Sequence, residues 1–154
     1  MALNGNTFFF FNRKYEHAKI AQWGTGSRNV GTFEQTIYPD QLWILEESSR
    51  VGYYYIKNAY HEGYRLAKWG KGNLQFGVYN GQYFEDQLWR FQKEGDYYRI
   101  YNKRYPSSRI TKTGKGDRDF VTYDCPNYED QLWKLVPRFD VKGREYEIWS
   151  VDNR

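Results

Sequence analysis

Two tryptophans stand beside glycine steps in matching runs, AQWGTG at 21–26 and AKWGKG at 67–72, with TKTGKG at 111–116 as a third variant. An exposed indole at Trp23 or Trp69 stacks well on the apolar face of a sugar ring, and an ammonium at Lys68 or Lys112 donates to hydroxyls. The alternative is that both indoles cover the base of a hairpin, and the sequence leaves the two readings open. Ten positions after each tryptophan comes a ring, Phe33 or Tyr79, and Tyr123 holds the same place in the third run. An acceptor follows every one of these rings: Glu34, Asn80 and Asp124. A carboxylate or amide beside a ring suits polyol recognition, and suits an ordinary loop as well. Finally, Asp40, Asp86 and Asp130 each open the tetrapeptide Asp-Gln-Leu-Trp. Such an aspartate either caps a turn or faces a ligand.

Other chemistries find little support. His17 and His61 do not recur at equivalent places, and the one cysteine, Cys125, has no motif around it. No Cys/His spacing resembles a metal site, and no cofactor is implied. A single cysteine permits no intrachain disulfide. The formal charge of +4 arises from 23 basic and 19 acidic residues that are interleaved, which is not a nucleic-acid signature. The N-terminal stretch lacks a basic n-region and a cleavage site, and no apolar run approaches membrane-spanning length. A soluble chain is expected, either cytosolic or released without a standard signal. Aromatic residues make up 21% of the chain, half of them tyrosine, which favours strands.

The elements that must position these residues are repeated. An Asn lies 29 positions before the Gln of every Asp-Gln-Leu-Trp: Asn12, Asn58 and Asn102. Between those anchors the copies align without a gap, sharing the glycine pairs Gly24/Gly26, Gly70/Gly72 and Gly114/Gly116. Each copy opens with an aromatic strand, TFFFF, YYYIK or YYRIY. A second strand, a glycine hairpin turn, a third strand through VGTF, FGVY or FVTY, a polar loop and a closing strand through Asp-Gln-Leu-Trp follow. No segment has convincing helical periodicity. Four short strands three times over, in repeats of about 5–48, 49–94 and 95–137, predict a single all-β domain with the β-trefoil architecture. In the closing strand Gln and Trp point to one face, and both are expected in the core rather than on a ligand. The buried Gln amide is expected to bond backbone of its own leaf.

The motif Gln41-Leu-Trp43, Gln87-Leu-Trp89 and Gln131-Leu-Trp133 resembles the QxW motif of the ricin-B-type β-trefoil lectins. That resemblance implies a shallow sugar site in each leaf. Its aromatic platform falls on Phe33, Tyr79 and Tyr123, and its polar residue on Asp40, Asp86 and Asp130. The family's second-strand aspartate falls near Ala21, Ala67 and Thr111, so the usual galactose arrangement is not reproduced. Thr113 replaces the tryptophan in the third leaf, so the leaves need not bind alike. The basic sets Arg65/Lys68/Lys71 and Arg109/Lys112/Lys115 read as a solvated face or as a surface for an anionic glycan.

The expected function is a multivalent, metal-independent lectin that recognises glycans or glycoproteins and not an enzyme. Agglutination or defence fits that physics. The alternatives are a trefoil protein-interaction module, such as a protease inhibitor or cytoskeletal binder, and a heparin-binding, growth-factor-like trefoil. The segment 138–154 contains EYEIWSV, a fourth opener-like strand. With TFFFF it motivates the expectation of a homodimer formed through a terminal aromatic strand.

Overall fold

The structure, a computed structural model, describes residues 2–138. Among them the first repeat forms β1 (Thr7–Asn12), β2 (Lys19–Gln22), β3 (Val30–Phe33) and β4 (Trp43–Glu47). The second forms β5 (Tyr53–Asn58), β6 (Arg65–Lys68), β7 (Phe76–Tyr79) and β8 (Trp89–Glu94). The third forms β9 (Tyr97–Asn102), β10 (Arg109–Lys112), β11 (Phe120–Tyr123) and β12 (Trp133–Pro137). All pairing is antiparallel. The first and last strands of each repeat pair in the ring β1-β4-β5-β8-β9-β12 and back to β1, closing a six-stranded barrel. The middle strands form three hairpins, β2-β3, β6-β7 and β10-β11. This is the β-trefoil that the repeat predicts. The opener-like stretch in 138–154 lies outside the described residues, apart from Arg138.

Three tryptophans, Trp43, Trp89 and Trp133, are fully buried at the barrel centre. Each indole N–H donates to a second-strand carbonyl of its own leaf, Ile20, Leu66 or Ile110, at 2.9–3.0 Å. Burial therefore leaves no indole donor unpaired. Phe76 and Phe120 meet at 5.1 Å between ring centroids and pack edge-on against Trp89 and Trp133 respectively.

The start of Asp-Gln-Leu-Trp departs from the expected strand. Pro39–Gln41, Glu85–Gln87 and Glu129–Gln131 form single 3₁₀ turns, and the strand begins only at Trp. The reason lies in the glutamine amide. Gln41, Gln87 and Gln131 each donate Nε2 to a loop carbonyl five residues earlier, at 2.9–3.0 Å. That bond curls the loop onto itself and satisfies the buried amide within its own leaf, as expected. The repeated asparagines serve the neighbouring leaf. Asn58, Asn102 and Asn12 donate to the carbonyls of Asp40, Asp86 and Asp130 at 2.9–3.0 Å.

The paired hairpin glycines are not at positive φ; among the described residues only Gly5, Gly52, Gly63 and Gly95 are. They are small because a side chain folds back on them. A Cβ on Gly24, Gly70 or Gly114 would lie 2.7, 2.3 or 2.6 Å from the Asn29, Gln75 or Asp119 side chain. In the second and third hairpins that side chain accepts from the Gly72 or Gly116 N–H.

The hairpins also link cyclically. Val78 N–H donates to Ser27 O of the first hairpin, Thr122 N–H to Asn73 O of the second, and Thr32 N–H to Asp117 O of the third. The opener TFFFF is consumed in this closure: Phe8, Phe9 and Phe10 are fully buried, and β1 pairs with β12, β2 and β4. Phe11, the last ring of the opener, stays half-buried.

Candidate functional site

Each leaf carries a pair of rings outside the barrel. The third-strand ring meets a second ring from the loop before the 3₁₀ turn: Phe33 with Tyr38 at 5.7 Å, Tyr79 with Phe84 at 6.2 Å, and Tyr123 with Tyr128 at 6.2 Å. Phe33 and Tyr123 are half-buried, and Tyr79 is 39% exposed. The second ring was missed in the sequence. Its signal was present as the aromatic two residues before each Asp, in YPD, FED and YED.

In the first leaf these parts enclose a small cavity of about 130 Å³, lined by Ala21, Trp23, Phe33, Tyr38, Asp40 and Gln41. The structure thus brings together three residues expected at the site: Trp23, Phe33 and Asp40. Ala21 lies where the ricin-type pattern has its aspartate, and the carboxylate and amide among the lining residues, Asp40 and Gln41, belong to the 3₁₀ turn. Asp40 Oδ1 is buried with no hydrogen-bond partner in the protein. Burial alone raises its carboxyl pKa to about 6. Gln41 Oε1 is likewise buried and unpartnered.

Sequence differences between leaves account for that second orphan. In the other leaves a guanidinium fills the place: Arg65 Nε donates to Gln87 Oε1 at 2.7 Å, and Arg109 Nε to Gln131 Oε1 at 3.0 Å. The first leaf has Lys19, whose Nζ donates to the His17 and Glu34 carbonyls instead. Gln41 was expected to be purely structural; its side chain is anchored in the loop, yet it also lines the cavity.

Asp86 and Asp130 repeat the arrangement in the other leaves. Each has a buried, unpartnered Oδ1. Burial raises both carboxyl pKa values, partly offset by Arg104 for Asp86 and by Lys14 and Arg99 for Asp130. Asp130 also lines a separate open cleft of about 380 Å³ with Lys14, Tyr128 and Glu129. Another cleft, about 660 Å³, lies along Phe11, Arg13, His17, Glu34 and Lys134, and Glu34 is the one expected acceptor it includes.

Trp23 and Trp69 take the hairpin-covering place that the sequence offered as one reading, and both keep exposed surface. Each indole lies over a third-strand glycine, Gly31 or Gly77, and so covers the hairpin. Each also remains 37% or 40% exposed.

Lys68 and Lys112 require correction. Both are fully buried and cannot donate to a surface ligand. Lys68 Nζ donates to Gly72 O and to Thr122 Oγ1 of the next leaf, both at 2.9 Å. Lys112 Nζ donates to Gly116 O at 2.8 Å and Thr32 Oγ1 at 2.7 Å. Burial lowers both amine pKa values. The two lysines tie hairpin turns to neighbouring leaves, whereas Gln22 at the same place in the first leaf bonds the carbonyl of Gly24, the first glycine of its own pair.

Comparison with known proteins agrees with this architecture. A family model described as a ricin-type beta-trefoil lectin domain-like family matches residues 39–114. The chain therefore resembles the ricin-type β-trefoil lectins, as the QxW repeat indicated. Among solved structures it is similar to a BEL β-trefoil, at TM-score 0.75 and 23% identity, covering 89% of this chain and 96% of that one. It is similar to SeviL, solved bound to an asialo-GM1 saccharide, at TM-score 0.69 and 21% identity, covering 86% and 97%. It also matches 32% of an endo-β-galactosidase from Clostridium perfringens, over 86% of this chain, at TM-score 0.71 and 19% identity. At these identities the likeness is one of fold. A sequence comparison with curated proteins finds no match.

Proposed function

We propose that the protein is a lectin that binds a saccharide in the first-leaf cavity, with related sites in the other leaves. The observation that carries this reading is the cavity's composition. Trp23, Phe33 and Tyr38 line the cavity together with Asp40 and Gln41, each of which has a side-chain oxygen that lacks a protein partner. A pyranose offers the complement: an apolar C–H face for the rings and hydroxyl donors for the acceptors.

The cavity is lined by a single carboxyl group, whereas glycoside hydrolysis ordinarily uses a flanking pair. That supports a binder rather than an enzyme. The glycan-bound state of SeviL lends the reading further support, since its fold is shared. A shallow pocket of this size gives a weak site. Several leaves acting together would supply the avidity to hold or cross-link glycosylated surfaces.

The test is a glycan array, followed by titration of the best neutral saccharide into the wild type and Phe33→Ala. Binding that weakens at least tenfold in the variant, with the fold intact, supports the reading. The absence of binding to any glycan overturns it.

A further inference from the structure

The three ring sites are not rimmed alike, because each is overhung by the hairpin turn of the preceding leaf in the cyclic order. Asp117 O of the third hairpin bonds Thr32 N–H at 2.8 Å, which seats the next residue, Arg118, against the first leaf. The Arg118 guanidinium lies over the Trp23 ring, 5.0 Å from its centroid. Trp23 in turn lines the first-leaf cavity. The equivalent turn residue of the first hairpin is Arg28, whose guanidinium donates to Phe76 O in the second leaf. The second hairpin has Leu74 at this place, 62% exposed. The turn residue facing the next leaf is therefore arginine at the first and second leaves and leucine at the third.

We propose that the first-leaf cavity prefers saccharides bearing an anionic substituent, sulfate or carboxylate, and that Arg118 is the residue that sets this preference. The inference rests on the lectin reading above. Arg118 is exposed and, among the described residues, has no carboxylate within ion-pair distance. The cation–π contact with Trp23 holds the guanidinium at the leaf's edge, and its planar fork of N–H donors suits bidentate pairing with an oxyanion. Arg28 adds positive potential nearby; burial and the charge of Arg118 together hold its guanidinium below the usual range. Asp40 does not oppose this arrangement. It accepts from hydroxyls within the cavity, whereas the anion would sit at the rim beside Trp23.

The experiment is an array of matched glycan cores in neutral, sulfated and carboxylated forms, probed with the wild type, Arg118→Gln and Arg118→Lys. Substitution at an exposed turn position leaves the core untouched, and near-ultraviolet circular dichroism checks this. Titration followed by the Trp23 indole N–H resonance assigns the binding to the first leaf. The expected result is about three- to fivefold tighter binding of the anionic forms at low salt, the size that an exposed ion pair supplies. The preference shrinks as salt is raised. It vanishes in Arg118→Gln and partly returns in Arg118→Lys. The sulfated and carboxylated arms report separately which anion is favoured. Neutral binding with no anionic preference, or a preference that survives Arg118→Gln, overturns this inference and leaves the lectin reading standing. No binding of any form overturns both.

Discussion

A Cβ on Gly31 would lie 2.5 Å from Cη2 of Trp23, so the indole closes directly onto the glycine. The same Cβ would lie 2.2 Å from Asp117 O of the third hairpin. The second leaf repeats the relationship: a Cβ on Gly77 would meet Trp69 at 3.0 Å and Ser27 O at 1.9 Å. The third leaf exchanges both partners, with Thr113 for the tryptophan and buried Val121 for the glycine. Indole and glycine thus form a pair, and the pair exists only where the sites have a tryptophan edge.

Gly77→Ala is predicted to destabilise the fold by about 1–3 kcal/mol, because a backbone carbonyl rather than a flexible side chain occupies the space. Urea denaturation measures this. An unchanged midpoint would show that the hairpin contact relaxes freely.

Burial of Asp40 makes stability depend on pH. Its folded pKa is raised to about 6 from the ordinary carboxyl value of 3.8, through burial. The folded state therefore holds a proton more tightly than the unfolded chain. That contribution to stability is fully present below about pH 4 and is lost as pH rises through about 6. Asp40→Asn is predicted to raise stability at pH 7 relative to the wild type and to flatten the pH dependence between 4 and 6. The ionised carboxylate is the better acceptor for hydroxyls, so saccharide binding at the first leaf should weaken as pH falls from 7 to 5. Thermal melts and titrations at both pH values check the two halves.

Lys68 is predicted to tolerate Gln better than Met. A glutamine keeps a donor for a hairpin carbonyl, as Gln22 does for Gly24 O, the first glycine of its own pair. Methionine leaves Gly72 O and Thr122 Oγ1 without their amine donor and should cost about 1–3 kcal/mol. Equal midpoints for Lys68→Gln and Lys68→Met would contradict the bonding role.

Asn58 anchors the junction of the first two leaves. Its Nδ2 donates to Asp40 O, and its Oδ1 accepts from the Tyr60 and His61 N–H groups at 2.9 and 2.8 Å. Asn58→Ala breaks all three bonds and should cost about 2–3 kcal/mol, since at least one group is left unpaired. Trp89→Ala should cost more, about 3–5 kcal/mol, from the cavity it opens at the barrel centre. Chemical denaturation of the two variants side by side tests this order.

The twelve strands were legible because three copies in register average out local ambiguity: the aromatic openers, the second and third strands and the Trp of each closer fall where the repeat places them. The 3₁₀ turn was not, because Asp-Gln-Leu-Trp reads as a strand until the Gln amide is seen bonding Thr36, Gln82 or Pro126 of its own loop. Trp23, Phe33 and Asp40 were found as candidates, since ring and acceptor types repeat. Lys68 and Lys112 were misplaced because sequence cannot show that the next leaf's Thr122 or Thr32 closes over the amine. Tyr38, Phe84 and Tyr128 carried a visible pattern, but loop aromatics acquire meaning only when the loop folds back onto β3, β7 or β11.

The most direct test of the central claim is a titration of the strongest array-selected neutral saccharide, followed by the indole N–H resonances of Trp23 and Trp69. The account predicts that these two resonances move, while those of the buried Trp43, Trp89 and Trp133 stay in place, and that Phe33→Ala abolishes the Trp23 shift. Saccharide binding that leaves both exposed indoles unmoved, or a Trp23 shift that persists in Phe33→Ala, would contradict it.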